Sequence, residues 1–135
     1  MKVFLFKEGH VNKYLRLGVS PPSGYERKRF HELGQKSLPW IAQELAVARP
    51  ELLITLGAEV AGVLREVPPG PGQTDLLKPC VEELNVAGIP VATIHCAHPG
   101  ILMRPNAKNN WPDIHLKEFV PAIREHLVKA MPSES

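Results

Sequence analysis

A chain of 135 residues, 44% hydrophobic and 22% charged, carries enough apolar side chain for one core and too little net charge to stay disordered. That length suits a single domain over residues 1–135 and excludes two full enzymatic domains. The formal net charge is +2 but lopsided: residues 1–36 hold eight basic and three acidic side chains, so the excess is N-terminal and the remainder is net acidic. A phosphate-bearing partner would meet that first quarter most favourably, although clusters of this size also occur on plain solvated surfaces. Apolar runs such as residues 52–56 fall far short of the roughly 20 needed to cross a bilayer, so no membrane association is expected. The opening run is also too brief for a secretory signal, and a cytoplasmic location is expected.

Residues 3–6 (VFLF) have the length and polarity of a strand, and residues 18–24 (GVSPPSG) those of an exposed loop. Residues 27–31 continue that loop or enter a helix. Ser37 is placed to cap a helix whose first turn accommodates Pro39; Leu38, Ile41, Ala42 and Leu45 recur along one face, with an end near Arg49 and Pro50. Residues 52–56 (LLITL) read as a buried strand, Gly57 as a tight turn, and Val60, Ala61 and Leu64 as the stripe of the next helix. The PPGPG run at 68–72 breaks regular structure, and residues 75–84 are expected to form another short helix. Residues 89–94 (IPVATI) read as a second buried strand between Gly88 and His95, followed by a loop from Cys96 to about Asp113. Leu116, Phe119, Val120, Ile123 and Leu127 mark a terminal amphipathic helix, with Pro121 in its first turn or at a kink and His115 and His126 as solvated residues.

Apolar strands interleaved with helices predict an α/β domain of three layers around a short, mostly parallel central sheet. Ligands of such sheets bind beyond the carboxyl ends of the strands, which here means Gly57, Ala58 and residues 95–104. Residues 98–104 (HPGILMR) place an imidazole, a rigid turn, bare backbone, apolar side chains and a guanidinium in one loop. The loop either overhangs a crevice or folds Ile101, Leu102 and Met103 back into the core. His10 and His95 are candidates to line the same crevice. Cys80 and Cys96 lack the spacing of a zinc or redox motif and read as reduced, apolar thiols; no metal or other cofactor is expected. No Gly-rich phosphate loop or nucleophile elbow is present.

Taken in order, LLITLGAEVAGVLR (52–65), IPVATIHCAHPGILMR (89–104) and the terminal helix resemble the C-terminal half of the uracil-DNA glycosylase superfamily. The similarity is greatest to its thermostable and actinobacterial-type branches, in which a strand leads into a His-Pro-Ser or His-Pro-Gly loop, apolar residues and an Arg. Upstream, VNKYLRL (11–17) and the RKRFH to Pro50 segment are similar to the branch's Thr-Asn-Xaa-Val-Lys motif and its Arg-Arg-Ile-His region, so the resemblance covers nearly the whole chain. It implies that His98 hydrogen-bonds a uracil carbonyl oxygen as the glycosidic bond breaks, stabilising the leaving anion. It implies that Leu102 fills the stack vacated by a flipped nucleotide, that Pro99 and Gly100 let the backbone approach a phosphate, and that Arg104 adds a charged contact. Asn12, preceded by Val11 where the family has Thr, corresponds to the asparagine that reads the base edge, or else is a turn residue. His31 aligns with a histidine that in one branch attacks the abasic sugar, or else is a DNA-facing or surface histidine, and Arg27, Lys28 and Arg29 would contact phosphates.

The family's first strand with its Gly-Glu-Ala-Pro-Gly loop, which positions the attacking water, has no counterpart here, so the chain reads as an N-terminally shortened member. The four cysteines of an iron-sulfur cluster are absent as well. Two readings follow. One is a uracil-DNA glycosylase-like protein that binds DNA or a flipped base, with hydrolysis of an N-glycosidic bond left open by the incomplete motif set. The other is a noncatalytic DNA-binding or assembly module, in which a second copy or a partner chain completes the sheet.

Overall fold

The computed structural model of the protein describes residues 16–18, 27–70, 72–103 and 108–131, with only the backbone at 27–29. The strand expected at residues 3–6 and most of the loop at 18–24 lie outside them. The described elements are helix α1 (Arg27–Ala48), strand β1 (Leu53–Leu56), helix α2 (Ala58–Arg65), a 3-10 turn (Gln73–Leu76), and strands β2 (Glu82–Val86) and β3 (Ile89–Cys96). They continue with a one-turn helix α3 (Pro99–Leu102) and a C-terminal rod of α4 (Trp111–Ile114), a π turn (His115–Phe119) and α5 (Val120–Ala130).

The strands form one sheet in the order β1-β3-β2. β1 runs parallel to β3, with Thr55 opposite His95 and Leu56 opposite Cys96. β2 runs antiparallel to β3, with Glu82 opposite Thr93 and Val86 opposite Ile89. The α/β class therefore stands, but the sheet is mixed, and the helix expected over residues 75–84 is replaced by the end of a 3-10 turn at Leu76 and, from Glu82, by strand β2. The physical reason is a hairpin: Leu84 and Val86 turn inward while Glu83 and Asn85 stay exposed, a period of two. Ala87 and Gly88 both take positive φ, 46° and 95°, as a two-residue turn between twisted strands requires, and the Gly88 N–H donates to Asn85 Oδ1 at 2.7 Å.

Helices cover both faces. Val91 faces Leu38, Leu45, Val63 and Leu64 of α1 and α2 together with Val86, and Phe30 and Ile41 pack onto this cluster. Ile94 and Cys96 point the other way, against Phe119, with Ala122 and Ile123 packed alongside. Helix α1 begins ten residues before the expected cap at Ser37, because Phe30, Gly34, Leu38 and Ile41 already form an inward stripe. Ser37 is thus interior, its hydroxyl donating to the Leu33 carbonyl at 2.9 Å, and Pro39 lies mid-helix on the exposed side. The helix does end where expected, with Arg49 in the left-handed region at φ 46°.

The C-terminal rod joins the amphipathic helix expected there to residues 111–115 through the π turn, which ends just before Pro121 and lets the helix pass a residue lacking an N–H. His115 is not a solvated residue as expected: it is half-buried and stacks on Phe119 with ring centroids 6.0 Å apart. Among the described residues, no helix is long and apolar enough to cross a membrane.

Gly34 of α1 is seated on α2, where an added Cβ would sit 2.7 and 2.9 Å from the two Val63 methyl carbons. Gly34→Ala is therefore expected to lower the unfolding free energy by about 1–2 kcal/mol, although alanine favours a helix by roughly 1 kcal/mol over glycine. Urea denaturation measures it; an unchanged or raised midpoint would mean that the two helices are free to move apart.

Candidate functional site at the carboxyl edge of the parallel strands

Because β1 and β3 are parallel, they finish at the same edge of the sheet, and the Gly57 N–H donates to the Cys96 carbonyl at 2.8 Å to tie the two ends together. Gly57, at φ 100°, turns the chain into α2; an L side chain there would be strained. Beyond β3, Ala97 is buried and His98 caps α3. The His98 carbonyl accepts from the N–H groups of Ile101 and Leu102 at 2.9 and 3.3 Å, and its ring Nδ1 accepts from the Gly100 N–H at 2.9 Å. A ring nitrogen that accepts carries no proton, so in the neutral imidazole Nε2 is the N–H. The ring is exposed at the edge, with its donor unengaged among the described residues.

The same turn sorts the apolar residues of the loop. Leu102 is half-buried against the cluster of Ala61, Leu77, Ile94, Cys96, Ala97 and Phe119, whereas Ile101 and Met103 are 41% and 80% exposed. Pro99 and Gly100 are half-buried in the turn itself. Asn109, which sequence reasoning passed over, pins the loop: its Nδ2 donates to the Ile101 carbonyl at 2.6 Å and its Oδ1 accepts from the Trp111 N–H at 3.1 Å.

Arg27, Lys28 and Arg29 form the first turn of α1, with no acidic residue among them. Leu45 and Ala46 near the other end of α1 line a groove with Ile89, Pro90 and Val91 at the start of β3. The basic first turn is at the end of the helix away from that groove. His31 is in the next turn, half-buried, with Nδ1 buried and without a hydrogen-bond partner. No hydrogen bond or ring contact joins His31 to the His98 loop among the described residues, and Asn12, His10 and Arg104 lie outside those residues. A groove of about 470 Å³ between Leu45, Arg49, Glu51 and Pro90 lies at the opposite, amino end of the strands.

Beneath the edge lies a feature that the sequence reading placed elsewhere. His95, expected past the strand as a crevice residue, is within β3 and 3% exposed, because the strand continues to Cys96. Its Nε2 lies 3.1 Å from Glu82 Oε1 and its Nδ1 2.6 Å from Thr55 Oγ1. A carboxylate only accepts, so Nε2–H donates to Glu82 and the Thr55 hydroxyl donates to Nδ1. Arg65 Nε reaches the same Glu82 oxygen at 3.4 Å. Burial pushes the His95 pKa below its ordinary value; the Glu82 hydrogen bond and charge oppose this, and the Arg65 charge adds to it. The Thr55 hydroxyl has the partner of an activated nucleophile but is itself buried, as is the His95 ring, so this pair ties the strands together and is closed to solvent. His126, expected to be solvated, has its Nε2 3.0 Å from the Glu51 carbonyl oxygen, close to the start of β1. Cys96 is buried in the core and Cys80 exposed, both as free thiols. Among the described residues no group of three or more His, Cys, Asp and Glu gathers as a metal site.

Comparison with family models, with curated proteins and with solved structures finds no match to this chain.

The unfolded chain takes up the His95 proton near pH 6.5, whereas the folded chain resists it until lower pH. Stability should rise with pH through that window, by at most about 1.4 kcal/mol per pH unit, and level off above about 6.5. His95→Gln should flatten this segment of the curve. Urea midpoints between pH 4 and 8 provide the measurement, and parallel curves for the two proteins would show that the imidazole is not held neutral by its surroundings.

Proposed function

We propose that the chain is a uracil-DNA glycosylase-like domain that binds DNA, with His98 directed at the carbonyl oxygen of an extruded base and the basic first turn of α1 at phosphate. The observation that carries this reading is the bond from the Gly100 N–H to His98 Nδ1, which presents Nε2–H as an outward donor at the sheet edge where α/β domains bind ligands. A donor held in place before reaction stabilises charge developing on a leaving base more than it stabilises the neutral base. The charge at the start of α1 supports the same reading. Three cations sit where the helix dipole is also positive, an unfavourable local arrangement that an approaching polyanion relieves. Ile101 and Met103 supply exposed apolar surface for an unstacked base, while Leu102 anchors their turn to the core.

A second reading, a noncatalytic assembly module, is favoured by one observation. β1 is one of the two outer strands among those described, and its Ile54 and Leu56 are 45% and 46% exposed. Light scattering separates the two, since a monomer at high concentration counts against assembly.

DNA binding has a signed test. Affinity for a uracil-containing oligonucleotide should fall steeply with salt, and the Arg27→Ala, Lys28→Ala, Arg29→Ala variant should lose about 2–3 units of the log–log slope. His98→Ala should leave that slope alone and abolish any preference for a uracil-bearing oligonucleotide over one with an abasic site in its place, which offers Nε2–H no carbonyl oxygen. Identical slopes for wild type and triple variant would reduce the basic turn to ordinary surface.

A further inference from the structure

Trp40 stands on the side of α1 that faces away from the core and is 62% exposed. Water around an aromatic side chain this large is costly, and a flat partner laid against the ring would relieve the cost. At about 100° per residue, positions 29, 36, 40 and 47 fall within roughly 40° of one another around the helix axis, away from the inward stripe of Leu38, Ile41 and Leu45. Those positions hold Arg29, Lys36, Trp40 and Val47, with Lys36 exposed one turn, about 6 Å, before the ring. Charge is graded along the same helix. Arg27, Lys28, Arg29 and Lys36 all precede Trp40, no cation follows it within α1, and Glu44 comes one turn after it. Glu32 flanks the stripe and already has a partner. Within a turn of the ring the exposed side chains are Lys36, Pro39, Gln43 and Glu44, which is too polar a surround for the apolar centre of a protein interface.

We propose that the outer stripe of α1 is a binding strip for single-stranded DNA, in which Trp40 stacks on an unpaired base while Lys36 and the basic first turn hold the phosphates leading to it. This rests on the DNA-binding reading above and names the form of DNA that is taken up. An exposed ring beside cations is the arrangement that binds single strands, because every unpaired base offers a free π face and the backbone supplies the charge. Duplex DNA fits poorly. Its internal bases are already stacked on both faces, so a ring on the convex surface of a helix has nothing flat to cover. The grading of charge also sets the limits of the strip: the strand comes in along the basic end, and the Glu44 carboxylate repels a phosphate just beyond Trp40. Contact through stacking and phosphate alone implies tolerance of sequence.

The test uses the full chain with labelled oligo(dT) and a duplex of equal length, reading affinity from fluorescence anisotropy. The chain has two tryptophans, and Trp111→Phe keeps a ring beside Phe119 while leaving Trp40 as the sole indole emitter. Oligo(dT) is expected to quench that emission and the duplex to leave it unchanged. Trp40→Tyr should bind oligo(dT) within about threefold of wild type, whereas Trp40→Leu, apolar but without a π face, should bind about tenfold more weakly. Lys36→Ala should lower the log–log salt slope by about 0.7, the single-strand value for one phosphate. Trp40→Leu that binds oligo(dT) as tightly as wild type would overturn the inference and leave the DNA-binding reading in place. Equal losses in the Tyr and Leu variants, or equal quenching by the duplex, would overturn it as well. Unchanged DNA affinity in Trp40→Leu together with a lower molar mass by light scattering would assign the ring to a protein contact instead. If the unaltered chain binds neither form of DNA, the DNA-binding reading falls and this inference with it.

Discussion

The parallel pairing of β1 with β3 decides where chemistry can occur in this small domain. Two strands that run the same way end side by side, and the bond between the Gly57 N–H and the Cys96 carbonyl closes the last gap between them. Everything that follows either strand is then delivered to one rim: α2 with its first-turn carboxylate from β1, and the His98 turn from β3. An antiparallel arrangement of the same segments would have separated them by the length of a strand. The hairpin of β2 and β3 adds no group to that rim, but it supplies Glu82 to the layer below.

That lower layer is unusual for so small a core. Thr55, His95, Glu82 and Arg65 come from two strands on either side of β3, from β3 itself and from α2, and both ring nitrogens of the buried His95 find partners. A satisfied buried network is directional, and so it resists shifts of register that an all-apolar interface would tolerate. Moving β1 by one residue would turn Thr55 to the opposite face and leave Nδ1 of the ring unsatisfied. The rim above is placed with corresponding accuracy.

The sequence was readable wherever the signal was local. Residues 52–65 announced strand, glycine turn and helix, because an apolar run, one Gly and a helical stripe suffice for that unit, and residues 116–127 announced an amphipathic helix by spacing alone. The errors arose where distant contacts outweighed local preference. Residues 82–86 contain Glu and Leu, good helix formers, yet pairing with β3 draws them into a strand. Ser37 and Pro39 imitate a helix start, but the burial of Phe30 and the close seat of Gly34 on Val63 carry the helix ten residues further back. His95 could not be understood locally at all, since its partners lie 40 and 13 positions away in the chain. By contrast, the rim turn at His98, Pro99 and Gly100 was legible, because three consecutive residues define it.

The donor that orients the His98 imidazole belongs to the main chain, so no side chain at position 100 is needed to supply it. What position 100 must supply is room: a Cβ there would come to 3.1 Å from Nδ1, tighter than rings and methyl groups normally tolerate. Larger residues would push the ring away from the amide that holds it, and proline would remove that amide altogether. Smallness at one backbone position thus governs which way a neighbouring heterocycle faces.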